Sequence, residues 1–262
     1  MRVIFLGDVV GEPGRLALKT GIPELIEKFG PDFVVANGEN AAGGNGITPK
    51  LAYELFRAKV DVITLGDHVW NQREIQPFFA EEPRLLRPLN FPKECPGAGH
   101  IVVSGNGLKL GVMNAMGRTF IEPVLDNPFV GIIPVLDEIK KETNCILLDF
   151  HAETTSEKIA MGWMLDGAVS AVVGTHTHVQ TADDKILPKR TAYITDVGFC
   201  GPHDSVLGRD KDIIISRFKT CMPHRMNIAS GGNQLDGVFV EIDDASGLAT
   251  RMERIQHPVH LP

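Results

Sequence analysis

The chain has 262 residues, of which 43% are hydrophobic and 23% charged, a composition that is ordinary for a soluble globular protein. Its formal net charge of −7 at pH 7 argues against a broad basic surface that binds nucleic acid. Nucleotide binding is not excluded by this charge, because a metal ion at the site would supply its own positive charge. No apolar run approaches the roughly 18 residues that span a bilayer, so we expect no membrane contact. Four scattered cysteines without a Cys-x-x-Cys pair indicate reduced thiols, and we expect a cytoplasmic protein.

Short runs of apolar, often β-branched residues recur along the chain and predict strands that are covered on both faces. These runs are Val3–Leu6, Phe33–Ala36, Val60–Leu65, Cys145–Phe150 and Ala168–Val173. Helical patterns separate them. Strands that alternate with helices at this spacing predict parallel pairing in an α/β architecture.

Three helices are predicted in the intervals between these strands. Thr48 and Asn127 are suitable N-caps, and each is followed by a proline at the first helical position. The predicted helices are Leu51–Arg57, 129–141 and 155–165.

Two β-hairpins interrupt the alternation of strands and helices. The first covers 100–113 with a tight turn at Asn106-Gly107, and the second covers 235–254. Antiparallel hairpins among parallel units predict two mixed β-sheets that pack as a sandwich flanked by helices. No linker rich in Pro, Gly or Ser divides the chain, so residues 1–262 are predicted to form a single domain.

The predicted strands are followed by side chains that bind metal ions well, in most cases shortly after a glycine. In α/β folds, ligands bind beyond the carboxyl ends of the strands, so these loops are expected to share one rim. A lone Gly-Asp is more often a turn or a helix cap, and a lone His-x-His is often two surface histidines. Five such loops together nevertheless predict a metal site. Its candidate ligands are Asp8, Glu39, Asp67, His151, His176 and His178.

The types of ligand indicate which kind of metal site to expect. The loops offer no thiolate, which argues against a closed structural zinc site. Three carboxylates and three imidazoles exceed the needs of one tetrahedral ion. They suit two ions bridged by a carboxylate, ~3.5–4 Å apart, as in phosphate-ester hydrolysis. Mixed nitrogen and oxygen ligation suits iron, manganese or zinc, and of these divalent or trivalent ions we expect iron.

Four segments together resemble the calcineurin-like metallophosphoesterase superfamily, and in particular its bacterial YmdB-like branch. They are Gly-Asp-Val-Val-Gly at 7–11, Asn-Gly-Glu-Asn-Ala-Ala-Gly-Gly at 37–44, Phe-His-Ala-Glu at 150–153 and Gly-Thr-His-Thr-His at 174–178. The resemblance implies a four-layer αββα fold. It also implies a 2′,3′-cyclic-nucleotide phosphodiesterase in which a metal-bound hydroxide attacks phosphorus in line.

The resemblance also implies a role for each candidate ligand. Asp8 and His178 would hold the first metal, and Glu39 would bridge the two metals. The second metal would be held by Asp67, His151 and His176.

Three positions depart from the superfamily pattern. Val10 stands where the superfamily has a histidine, so one ligand of the first metal is missing and a more open first site is expected. Glu39 replaces an aspartate, which lengthens the side chain by one methylene without changing its chemistry. Asp67 replaces a neutral amide and adds a negative charge.

Two further residues are implied to act on the substrate. Asn40 would donate its amide N–H to a phosphate oxygen, with a left-handed turn residue as the alternative role. His68 would protonate the departing ribose oxygen as a general acid. Its alternative role is to orient Asp67 or the phosphate without transferring a proton. The glycine-rich stretch 43–46 is expected to be a flexible loop beside the site, with a phosphate-cradling nest as the alternative. It lacks the lysine of a P-loop, which argues against binding of nucleoside triphosphates.

Other polar residues carry weaker expectations. Glu153 would support His151 or cap the helix 155–165, and Asp196 would line the pocket. The remaining histidines are expected to be surface or structural residues, namely His100, His203, His224, His257 and His260.

Other classes of protein compete with a phosphodiesterase. A metal-binding regulatory protein of the same fold would act through a partner, and a phosphatase would act on other phosphate esters. The presence of both His68 and Asn40 favours an enzyme with a small-molecule phosphodiester substrate. The segment 7–11 lacks Gly-x-Gly-x-x-Gly, which argues against a nicotinamide-dependent enzyme. Formation of a homo-oligomer stays open.

Overall fold

The computed structural model describes residues 1–261 as fourteen strands and six helices. The strands are β1 (Arg2–Leu6), β2 (Asp8–Val9), β3 (Phe33–Asn37), β4 (Val62–Thr64), β5 (Leu85–Leu86), β6 (His100–Gly105), β7 (Leu108–Met116), β8 (Ile146–His151), β9 (Ala171–Thr175), β10 (Lys185–Ile186), β11 (Ala192–Ile194), β12 (Phe199–Pro202), β13 (Asn233–Ile242) and β14 (Ala249–Pro258). The helices are α1 (Gly11–Phe29), α2 (Pro49–Arg57), α3 (Ile75–Phe78), α4 (Pro128–Ile139), α5 (Thr155–Met164) and α6 (Lys211–Thr220).

The first sheet contains eight strands in the order β2-β12-β13-β1-β3-β4-β5, with β14 paired to β13. Strands β1, β3, β4 and β5 run parallel, whereas β13 is antiparallel to β1. The register pairs Leu6 with Ala36 and Asn37 with Thr64, so β1, β3 and β4 end together. Three of the candidate carboxylates follow these ends.

The second sheet contains six strands in the order β10-β11-β9-β8-β7-β6. Strands β7, β8, β9 and β11 run parallel, and β6 and β10 are antiparallel to their neighbours. The register pairs Met116 with His151 and His151 with Thr175. The three candidate histidines therefore also lie at or just beyond the carboxyl ends of parallel strands.

Apolar packing arranges the two sheets and the helices in four layers. Successive residues of a strand point to opposite faces, so Val3 and Phe5 of β1 pack between the sheets while Ile4 and Leu6 pack towards α1 and α2. The outer face of the second sheet packs against α4 and α5. The predicted sandwich of two mixed sheets flanked by helices is confirmed.

The predicted helix starts and the first hairpin are also confirmed. Thr48 Oγ1 accepts a hydrogen bond from the N–H of Leu51 at the start of α2, and Asn127 Oδ1 caps α4 in the same way. Asn106 and Gly107 both have positive φ, as a tight turn between β6 and β7 requires. None of the helices within residues 1–261 is long and apolar enough to cross a membrane.

Helix α1 is absent from the sequence predictions because prolines and glycines interrupt its helical pattern. It spans 19 residues and contains Pro13, Pro23 and three glycines. Two of the glycines allow close packing: a Cβ at Gly14 would lie 2.4 Å from the carbonyl oxygen of Cys200, and one at Gly21 would lie 2.7 Å from Leu235. Tertiary packing against the first sheet therefore outweighs the weak local propensity.

We expect Gly14→Ala to lower the free energy of unfolding by about 1–3 kcal/mol, because the added methyl group would overlap the backbone of β12. The matched control is Gly131→Ala in α4, where the nearest atom, Leu89 Cδ1, is 3.6 Å from the added methyl group. Alanine there should stabilise the helix by roughly 0.5–1 kcal/mol. Urea unfolding measures both changes, and a stabilising effect of Gly14→Ala would contradict this packing argument.

Candidate metal centre

The ends of the parallel strands bring four side chains together at one rim. Glu39, Asp67, His151 and His176 each offer one nitrogen or oxygen atom, and these atoms lie within 4.8 Å of one another. His151 Nε2 is 3.0 Å from Asp67 Oδ1 and 3.3 Å from Glu39 Oε1. His176 Nδ1 is 3.0 Å from His151 Nε2 and 3.3 Å from Asp67 Oδ1. Two imidazoles and two carboxylates in this arrangement could hold a metal ion.

Asp8 and His178 lie beside this group of four rather than within it. His178 Nε2 is 3.8 Å from Asp8 Oδ1, which is too long for a hydrogen bond. Asp8 Oδ2 accepts a hydrogen bond from the backbone N–H of His176 at 3.1 Å. Asp8 Oδ1 is buried and has no hydrogen-bond partner within residues 1–261. Because an unpaired buried carboxylate oxygen is unfavourable, this atom marks a second position suited to a cation.

A chain of hydrogen bonds fixes the orientation of His151. Burial raises the pKa of Asp149 to about 6, and its carboxylate accepts hydrogen bonds from the hydroxyl groups of Thr64 and Thr175. Thr175 Oγ1 donates its single proton to Asp149 Oδ1 at 2.7 Å. The same oxygen lies 2.9 Å from His151 Nδ1, so it accepts from the N–H there. His151 Nε2 therefore faces the group of four, where it can carry a proton or bind a metal ion.

His176 and His178 are each oriented by an oxygen behind the ring. His176 Nε2 lies 3.0 Å from Glu153 Oε2, which leaves Nδ1 for the group of four. His178 Nδ1 lies 3.1 Å from the carbonyl oxygen of Leu207, which leaves Nε2 on the side of Asp8. An acceptor behind the imidazole is typical of metal-binding histidines, because it selects the tautomer and holds the ring.

The ionisable groups of the cluster together favour bound positive charge. Burial disfavours the charged form of Asp67, yet hydrogen bonds from His151 and His176 outweigh burial and lower the pKa of Asp67. Burial likewise disfavours a charged His151, but the negative charge of Glu39 and the hydrogen bond to Asp67 raise the pKa of His151 well above its usual value. A metal cation can supply the same positive charge that a proton supplies here.

Comparison with known proteins identifies the family. The family described as YmdB-like protein matches residues 4–255. The chain belongs to the YmdB-like protein family. It is 52% identical over 255 residues to a Bacillus subtilis (strain 168) protein named 2′,3′-cyclic-nucleotide 2′-phosphodiesterase, and the match covers 97% of this chain and 96% of that protein.

Two solved structures share the fold of this YmdB-like protein. A hypothetical protein from Thermus thermophilus is 37% identical with a TM-score of 0.91, covering 98% of this chain and 99% of that chain. A Mycoplasma pneumoniae protein described as a novel phosphatase is 36% identical with a TM-score of 0.91, covering 98% of this chain and 93% of that chain. The YmdB-like architecture inferred from the sequence motifs is confirmed.

The two residues that the YmdB-like resemblance assigns to the substrate lie at the edge of the group of four. Asn40 Nδ2 is 3.0 Å from Glu39 Oε1 and 3.2 Å from His178 Nε2, so it lies between the two parts of the candidate site. His68 Nδ1 is 3.3 Å from Asp67 Oδ2, and its side chain is 37% exposed. His68 therefore borders the solvent at the mouth of the site.

The structure corrects two expectations for residues near the site. Glu153 contacts His176 rather than His151, and the N-cap of α5 is Thr154, so both roles expected for Glu153 are wrong. Asp196 is 1% exposed and bonds to Thr177 instead of lining an open pocket. These contacts join residues far apart in the chain, and no local pattern in the sequence indicates them.

Other contacts around the site also escaped the sequence analysis. Arg209 donates to the carbonyl oxygens of Gly43 and Gly44 at 3.2 and 2.7 Å, which restrains the loop that was expected to be flexible. Phe199 stacks on both His178 and His203, with ring centroids 5.4 and 4.1 Å apart. Leu207 contacts His178 through its backbone carbonyl, which every residue type has, so the sequence gives no sign of this contact.

Gly66 provides a direct test of the group of four. A Cβ at this position would lie 2.2 Å from Glu39 Oε2 and 2.3 Å from His151 Nε2. We expect Gly66→Ala to weaken metal retention roughly 10–100-fold, because the methyl group displaces both donor side chains. Metal content after dialysis against a graded chelator measures the effect.

The matched control for this test is Gly105→Ala, where the nearest atom to the added methyl group is Phe33 Cε1 at 3.4 Å. This control variant should retain metal as the unmodified protein does. Equal retention in both variants would contradict the assignment of the group of four as a metal centre.

Proposed function

We propose that this YmdB-like protein is a dinuclear-metal phosphodiesterase that hydrolyses 2′,3′-cyclic nucleotides. The proposal is carried by the convergence of four side chains whose nitrogen and oxygen atoms lie within 4.8 Å of one another at the ends of the parallel strands. The name of the Bacillus subtilis relative, at 52% identity, supports the substrate class. The Mycoplasma pneumoniae structure described as a phosphatase makes phosphomonoester hydrolysis the alternative reaction.

Two ions account for the arrangement better than one. Asp67, His151 and His176 form one side of the site, and Asp8 with His178 forms the other. Glu39 Oε1 lies 3.3 Å from His151 Nε2, and Glu39 Oε2 lies 3.4 Å from the backbone nitrogen of His68. As a carboxylate with two oxygens, Glu39 can bridge two metal ions. Bound there, the ions would offset the negative charge, activate a water molecule and stabilise charge on the phosphoryl oxygens. Iron is the ion we expect, and manganese and zinc suit the same donors.

Asn40 is proposed to orient the phosphate. Its amide nitrogen lies between Glu39 and His178, where an N–H can donate to a phosphate oxygen placed between the two metal positions. A donor already held in position loses little entropy when the substrate binds.

His68 is proposed to protonate the leaving group. Its contacts with Asp67 and Asn71, at 3.3 and 3.4 Å, both use Nδ1, which leaves Nε2 for a ribose oxygen. In the imidazolium form, Nε2–H gives its proton to the oxygen that departs from phosphorus. The bond between phosphorus and O2′ breaks and the hydroxyl of water joins phosphorus, while the other proton of that water is released to solvent. A nucleoside 3′-phosphate results.

The proposal predicts that the metal-loaded protein converts 2′,3′-cyclic AMP to 3′-AMP. Glu39→Ala should lower the rate at least ~100-fold, because the variant removes the carboxylate shared by both metal positions. The control is Glu142→Ala, an exposed glutamate that pairs with Lys109 on the outer surface. Product analysis by chromatography measures both variants. No product with iron, manganese or zinc would contradict the proposal, and hydrolysis of phosphomonoesters alone would favour the phosphatase.

A second prediction separates proton donation by His68 from a purely orienting role. An aryl phosphodiester has a good leaving group that needs no proton, whereas a ribose ester needs one. We expect His68→Ala to slow 2′,3′-cyclic AMP hydrolysis roughly 10²–10⁴-fold and aryl ester hydrolysis by much less. Similar losses on both substrates would rule out general-acid catalysis by His68.

A further inference from the structure

An ion pair is buried beneath the turn that carries His176 and His178. Lys158 Nζ donates to Asp196 Oδ2 at 2.6 Å, and both side chains are only 1% exposed. Lys158 belongs to α5, and Asp196 follows β11, so the pair joins a helix to the sheet next to β9. The proposed reaction uses neither side chain directly.

Asp196 holds the residue between the two histidines. Its Oδ2 accepts from the backbone N–H of Thr177 at 3.1 Å and from the Thr177 hydroxyl at 2.7 Å. Its Oδ1 accepts from the N–H of Gly198 at 2.9 Å. Together with Lys158, four donors reach this one carboxylate. Two of these donors belong to the turn, one to α5 and one to the segment after β11.

Lys158 also packs against the strand that leads into the turn. A Cβ at Gly174 would lie 2.9 Å from Lys158 Cδ and 1.8 Å from the carbonyl oxygen of Thr195. The aliphatic part of Lys158 and the backbone carbonyl of Thr195 therefore both pack closely against Gly174 near the end of β9. The ion pair thus fixes the turn from its backbone side as well as through Thr177.

The turn needs such restraint because its backbone is unusual. His176 has φ 97° and His178 has φ 62°, and residues other than glycine rarely adopt positive φ values. Strained conformations of this kind persist where the surrounding structure enforces them, and they are concentrated at functional sites.

Stability alone does not account for a buried ion pair. Removing two charges from water is costly, and well-packed apolar side chains of similar size are often as stable or more stable. An ion pair does, however, impose one geometry on the groups it contacts, because only one arrangement satisfies both charges.

We propose that Lys158 and Asp196 are positioning residues that act through Thr177 to place His176 and His178 together. This inference rests on the proposed dinuclear site, because the two histidines face its two different halves. His176 lies in the group of four, whereas His178 faces Asp8 and Asn40. Loss of the ion pair should therefore weaken both metal positions in parallel.

The chain offers a matched control at the other end of β9. Asp166 is a buried aspartate that also holds a loop, since it accepts from the backbone N–H groups of Lys189 and Thr191 at 3.0–3.4 Å. It precedes β9, whereas the metal-site turn follows it. Asp166→Ala should lower stability without moving either histidine.

The experiment is a chelator titration of metal-loaded protein, with metals per chain counted by elemental analysis and the melting temperature of each metal-free variant recorded beside it. We expect Asp196→Ala to release both metals together at roughly 10–100-fold lower chelator concentration. Asp166→Ala should keep wild-type retention despite a lower melting temperature. His178→Ala should lose one metal before the other.

A rescue variant distinguishes positioning from general loss of packing. In Lys158→Met/Asp196→Asn the amide oxygen can still accept from Thr177 and no charge is left unpaired, but the lysine no longer fixes that acceptor. Metal retention should therefore lie above that of Asp196→Ala and below that of the wild type. If Asp196→Ala does not fold, Thr177→Val takes its place, because it removes only the hydroxyl contact and should weaken both metals several-fold.

The outcomes separate this inference from the proposed function. Wild-type retention in Asp196→Ala or Thr177→Val, or equal metal loss in Asp166→Ala, would overturn the positioning role. A wild-type protein that holds two metals but does not hydrolyse 2′,3′-cyclic AMP would overturn the proposed function alone, because metal retention is read without turnover.

Discussion

Three carboxylates brought into one largely buried site repel one another, and the rest of the structure depends on how that charge is compensated. Within residues 1–261, Asp8 is fully buried with one oxygen that has no hydrogen-bond partner, and Glu39 is 1% exposed. Without positive charge this arrangement would be strongly unfavourable. The imidazole of His151 provides some compensation by holding a proton more tightly, and metal ions would provide more. The site is thus suited to bind cations, and the phosphodiester hydrolysis proposed above would depend on that property.

The sheets supply the geometry that this site needs. Parallel strands in register end at the same level, so short loops after them can place polar side chains within a few ångströms of one another. A layer of acceptors behind the histidines then turns one nitrogen of each ring inwards, through Thr175, Glu153 and the Leu207 carbonyl. Beneath that layer, the pair of Lys158 and Asp196 holds the turn itself. Each layer restrains the one nearer to the metal positions.

Much of the fold and of the candidate site could be predicted from the sequence, because the signals were local. Apolar runs marked β1, β3 and β8, and polar residues directly after strands marked the rim. Helix α1 could not be predicted, since its prolines and glycines oppose a helix locally and packing against β12 overrides them. The roles of Asp196 and Glu153 could not be predicted either. Asp196 contacts Thr177 and Glu153 contacts His176, and these residues come together only in the folded chain.

The most direct test of the central claim is anomalous diffraction from crystals of the metal-loaded protein. The account predicts two anomalous peaks ~3.5–4 Å apart. One should lie within ~2.0–2.2 Å of donor atoms of Asp67, His151 and His176, with Glu39 between the peaks and His178 on the far side. A single peak would contradict the dinuclear arrangement. The absence of any peak at this rim, in protein exposed to iron, manganese and zinc, would contradict the metal centre itself.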